Sequence, residues 1–69
     1  MRTETRRSGP AEFWTEVYPL SDGRWRANLI CQESYRHAAV VIDAGFAHTE
    51  AAALALGESM LKGAMREEK

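Results

Sequence analysis

A chain of 69 residues with a formal net charge of -1 is one domain at most, and it carries no overall basic field that would draw it to nucleic acid or a membrane surface. Its 45% hydrophobic and 28% charged residues make it too apolar for general disorder, so it is expected to fold around a small core. The lone cysteine, Cys31, leaves no disulfide to strengthen that core, and the charged start MRTETRRSGPAE lacks a signal peptide's apolar stretch, so the expected location is the cytoplasm.

Residues 1–11 hold Arg2, Arg6 and Arg7 among Thr, Ser, Gly and Pro, with Met1 the one large apolar side chain. They read as a flexible N-terminal arm, and residues 12–69 as a single domain. From Phe13 to Leu20 the run FWTEVYPL is rich in β-branched and aromatic residues, and Pro19 near its end suits an edge strand. Ser21-Asp22-Gly23 supplies the turn residues of a short hairpin loop. Strand two, RWRANLICQ, alternates Trp25, Ala27, Leu29 and Cys31 with Arg24, Arg26, Asn28 and Ile30, the period of a half-buried strand.

After the polar connection ESYRH, the run HAAVVID reads as a third strand, apolar from Ala38 to Ile42 and therefore expected to be covered on both faces. Thr49 is placed to cap a helix from Glu50 to about Arg66, with an acid in its first turn and Lys62 and Arg66 toward its end. Its apolar stripe runs through Ala53, Leu54, Leu61, Ala64 and Met65, and Gly57 suits a close approach to the sheet. The predicted fold is α+β: a two-layer βββα domain, with a three-stranded antiparallel sheet under one C-terminal helix.

The spacing V-x-P-x-x-D-G-x-W-x-A from Val17 to Ala27, with G-F-x-x-T-E-A-A from Gly45 to Ala52, resembles small bacterial and phage ββ(β)α domains, some without known function. More distantly it is similar to the N-terminal arm-type DNA-binding domain of tyrosine integrases. There a G-x-W-x-A strand and an F-x-T-x-x-E-A helix start frame three strands that contact DNA. The resemblance implies a sheet with a recognition face. This chain departs from the integrase pattern in the third strand, which reads AAVVID where that family tends to carry Lys and Arg, with Arg36 just before it.

Two hairpin registers are open. A three-residue loop with Gly23 at the left-handed bulge position sets Val17 opposite Ala27 and turns Phe13, Val17, Trp25, Ala27 and Leu29 toward the helix. Trp14, Glu16, Tyr18, Leu20, Arg24, Arg26 and Ile30 then form an outer face with a composition enriched at binding hot spots. A two-residue turn at Asp22-Gly23 instead buries Trp14, Tyr18, Leu20 and Trp25 together. The Ser-Asp-Gly composition and the better placement of Glu16 in water favour the first.

On that register the expected partner-binding residues are Trp14, Tyr18, Arg24, Arg26 and Arg36. No catalytic set is legible. Cys31 continues the buried alternation of strand two, and Cys31, His37, Asp43 and His48 lack the paired spacing of a metal site, so neither a metal nor a cofactor is expected. The expected function is a non-catalytic protein-interaction module, such as an accessory or phage-derived inhibitor that masks a partner's surface through its exposed sheet face. Self-association as a homodimer through that face is the companion expectation. The alternative is nucleic-acid binding, with Trp14 or Tyr18 stacking on bases and Arg24, Arg26 and Arg36 meeting phosphates.

Overall fold

The turn after Leu20 sets the register of the sheet. The Leu20 N–H donates to the Arg24 carbonyl at 2.7 Å and the Gly23 N–H to the Leu20 carbonyl at 3.1 Å, closing a loop of Ser21, Asp22 and Gly23. Gly23 takes φ 91°, the left-handed conformation that a glycine adopts without steric cost. Val17 therefore lies opposite Ala27 and Tyr18 opposite Arg26. This is the first of the two registers.

The structure is a computed structural model that describes residues 1–34 and 36–66. Four strands, β1 (Arg6–Ser8), β2 (Ala11–Pro19), β3 (Trp25–Gln32) and β4 (Val40–Ala47), lie in that order in one antiparallel sheet, and α1 (Glu50–Arg66) follows. The Thr49 hydroxyl accepts the Ala52 N–H at 3.1 Å, the expected N-cap. Phe13, Leu29 and Cys31 pack on Leu61 at one end of the core, and Val17 and Ala27 pack on Ala53 at the other. Trp25 is half-buried against this second cluster. Between the two ends, Gly57 brings the helix backbone down onto Thr15. A Cβ at that position would lie 3.2 Å from the Thr15 Cβ.

The sheet has four strands rather than the expected three. The extra strand arises in residues 1–11, where Gly9, at φ 62°, and Pro10 form a two-residue turn that sets Ser8 opposite Ala11. A glycine of positive φ at the first central position is the requirement of a type II′ hairpin. Upstream of β1 the backbone continues along β2: Val17 N–H donates to the Met1 carbonyl at 2.8 Å and Thr3 N–H to the Thr15 carbonyl at 2.9 Å. The buried Thr15 hydroxyl also meets the Thr3 hydroxyl at 2.7 Å.

The last strand also differs from expectation. It starts at Val40 rather than His37 and runs on through Gly45 and Phe46. It is not covered on both faces, because Val40, Val41 and Ile42 are 54%, 54% and 50% exposed. The strand lies at the sheet edge, and a bulge between its Ile42 and Asp43 accompanies a register shift opposite Leu29. Where Ile42 borders α1, the helix offers Met60 and the small Gly63 and Ala64. One helix packs closely only where β4 is itself small, as at Gly45, which lies under Leu56.

Candidate functional site

Alternation along the hairpin turns Arg26, Asn28 and Ile30 away from α1, and cross-strand pairing aligns β2 and β4 with them. Tyr18 lies opposite Arg26 on one side and Phe46 opposite Arg26 on the other, so Tyr18, Arg26 and Phe46 form a row across three strands of the open face. Arg24, just before β3, joins this row. Its guanidinium carbon lies 4.8 Å from the Phe46 ring centroid, and that of Arg26 lies 5.3 Å away. Both distances are within cation–π range.

Internal hydrogen bonds fix the row in place. The Arg26 Nε donates to the Asn28 Oδ1 at 2.8 Å, and the Asn28 Nδ2 donates to the Tyr18 hydroxyl at 3.2 Å, so one buried amide orients both side chains. The Arg24 Nε donates to the Asp22 Oδ2 at 2.8 Å, while the Asp22 Oδ1 accepts the Arg24 backbone N–H at 3.0 Å. These two bonds, the backbone one first, hold the Asp22 carboxyl below the usual carboxylate range. A lowered folded-state pKa means that ionised Asp22 braces the turn at neutral pH, and the brace is lost as acid titrates the carboxylate through its lowered value. Both arginines use Nε internally, and among the described residues this leaves the terminal nitrogens of each fork for a partner.

The five expected binding residues do not all meet. Tyr18, Arg24 and Arg26 do, with Tyr18 37% exposed and Arg26 half-buried. Trp14 faces the same side but is only 6% exposed, because Arg2 lays its guanidinium 4.1 Å over the indole and the indole N–H turns to Glu16 at 3.4 Å. It belongs to a secondary cover beneath Arg2 and offers a partner almost no surface. Arg36 sits in the β3–β4 connection, at the end of β4 remote from Phe46, roughly 20 Å away along the strand.

Phe46, 49% exposed, is the member that the sequence reading passed over by ending the strand at Asp43. Counting from the Ser-Asp-Gly turn does not reach it. The bulge at Ile42 and Asp43 breaks the simple alternation that would have signalled its face.

Elsewhere, a groove of ≈ 390 Å³ opens between the sheet and the C-terminal half of α1, lined by Phe13, Cys31, Ile42 and Ala64 with Glu33 at its rim. Among the described residues no three of His, Cys, Asp and Glu come together as a metal-ligand set, and no helix is long and apolar enough to cross a membrane. Comparison with protein families, curated proteins and solved structures finds no match for this chain.

Proposed function

We propose that this protein is a small non-catalytic interaction module that binds a protein partner through the open sheet face and masks the surface it covers. The observation that carries this reading is the row Tyr18–Arg26–Phe46 with Arg24: two aromatic rings and two oriented guanidinium groups on an uncovered face. Tyr and Arg are the residues that most often dominate binding energy. Here their rotamers are already constrained by Asn28 and Asp22, which lowers the entropy cost of docking. The acidic and basic residues nearly balance over the whole chain, so affinity rests on this local cluster rather than on a general field.

A second reading, nucleic-acid binding, draws on the same pair of arginines beside exposed aromatic rings and on the resemblance to integrase arm-type domains. Salt and a double substitution separate the two. The protein, immobilised, is exposed to lysate of its host with and without nuclease, at low and at moderate salt, beside an Arg24→Ala/Phe46→Ala variant. The expected result is one specific protein retained through nuclease and moderate salt, with affinity at least about 30-fold weaker for the variant. A complex that disappears with nuclease or falls steeply with salt supports the second reading. Equal capture by the variant removes this face from the binding site.

A further inference from the structure

We infer that the outer edge of β4 pairs with the same edge of a second copy of this chain, antiparallel about a two-fold axis, so that two four-stranded sheets become one continuous sheet. This association uses a strand edge rather than the open face and stands independently of partner recognition there.

The two sides of the sheet are finished differently. Beyond β2, residues 1–8 supply backbone partners, through Met1 and Thr3 and then through β1. Beyond β4, the last strand in the order, no strand pairs among the described residues. The direction of its backbone groups follows from the hairpin. Leu20 and Arg24 are a hydrogen-bonded pair, so Tyr18–Arg26 and Glu16–Asn28 are bonded pairs as well, and the intervening β3 residues Ala27 and Leu29 bond to Gly45 and Asp43. The N–H and C=O groups of Ala44 and Phe46 therefore point outward.

Natural edge strands are blunted by lysine, proline or short length. This one is eight residues long, VVIDAGFA, with neither lysine nor proline. Its protections are the bulge at Ile42 and Asp43, whose Oδ1 accepts the Ala44 N–H at 2.9 Å.

A second copy fits this edge better than an unrelated chain. Under a two-fold axis the outward donors and acceptors of one β4 meet those of the other, and each contact occurs twice. The net charge of -1 offers little repulsion to a like molecule. Half-exposed Val40, Val41, Ile42 and Phe46 together leave on the order of 300 Å² of apolar side chain in water, divided between the two faces of β4: Val40 and Ile42 on the helix side, Val41 and Phe46 on the open side. That is short of the roughly 800 Å² per partner of a standard stable complex, so side-chain burial alone gives only a weak dimer and backbone pairing must supply the rest. The expected dissociation constant is on the order of 10 to 100 μM.

Sedimentation velocity on the full chain from about 1 to about 500 μM reads the association over a range that brackets this constant. Ala44→Pro removes an outward N–H that β3 does not use, and Val41→Lys places a charge on the edge. Each is expected to yield a monomer at every concentration with the wild-type circular dichroism spectrum. Asp43→Ala releases the Ala44 N–H and removes a like charge from the interface, and is expected to tighten the dimer by about tenfold. Amide exchange at Ala44 and Phe46 is expected to slow as concentration rises. A wild-type monomer throughout the range overturns the inference. So does a dimer unchanged by both Ala44→Pro and Val41→Lys; if Arg24→Ala/Phe46→Ala dissolves that dimer, the copies meet through the open face instead.

Discussion

Trp14 shows how a single side chain changes role with its neighbours. Its position on the face away from α1 is the one hairpin register demands, yet the ring is as buried as the core because Arg2 stacks on it and Ile30 lies opposite it across the strands. A buried indole contributes through area, so Trp14→Ala is expected to cost about 3 to 5 kcal/mol in chemical denaturation, the range of large aromatic truncations. A loss below about 0.5 kcal/mol, the level of ordinary surface substitutions, would show that the ring is open to solvent. Tyr18 and Arg26, two strand positions further along, keep their surface because their internal partner is the short Asn28 rather than a long side chain laid over them.

The elements differ in what holds them. The β2–β3 hairpin is specified locally by Ser21-Asp22-Gly23, whereas α1 depends on contact with the sheet. Two of its glycines make this contrast measurable. Nothing lies within 4 Å of a Cβ added at Gly63, so Gly63→Ala is expected to stabilise the protein by about 0.5 to 1 kcal/mol through helix propensity alone.

At Gly57 the same substitution meets the Thr15 Cβ, Cγ2 and Oγ1 at 3.2 to 3.3 Å. Thr15 is β-branched, buried and bonded to Thr3, so it has no free rotamer with which to give way. Gly57→Ala is therefore expected to destabilise despite its better propensity. Urea titrations of the two variants should move in opposite directions from wild type, and a gain at both positions would mean that the helix sits further from the sheet than described.

For the whole molecule, the N-terminal residues serve as cover as well as sheet. They give β2 a backbone partner on its outer edge, supply the Arg2 lid over Trp14 and bring Arg6 within 3.4 Å of Glu58 on α1. Removing residues 1–5 is expected to cost about 2 to 3 kcal/mol, from the lost edge hydrogen bonds and the cation–π contact. Tryptophan fluorescence should shift to the red as Trp14 meets water. A truncated protein with wild-type melting and emission would show that the segment contributes nothing to the fold.

The residues themselves determined the hairpin, because Ser-Asp-Gly fits a type I turn with a left-handed glycine, and the helix, because Thr49 caps a stripe of apolar residues at helical spacing. The class, antiparallel sheet with one C-terminal helix, followed from those local signals. Only the tertiary structure decided the fourth strand, since residues 1–8 carry little apolar pattern and are held by backbone bonds, a threonine pair and arginine contacts with distant residues.

It also decided the candidate site. Whether Trp14 is open depends on Arg2, and whether Phe46 joins Arg24 and Arg26 depends on a bulge in β4 and on which β3 residues face it. Alternation along one strand reports which side a residue takes. It carries no information about what another segment lays over that side, because that cover is a contact between residues far apart in the chain.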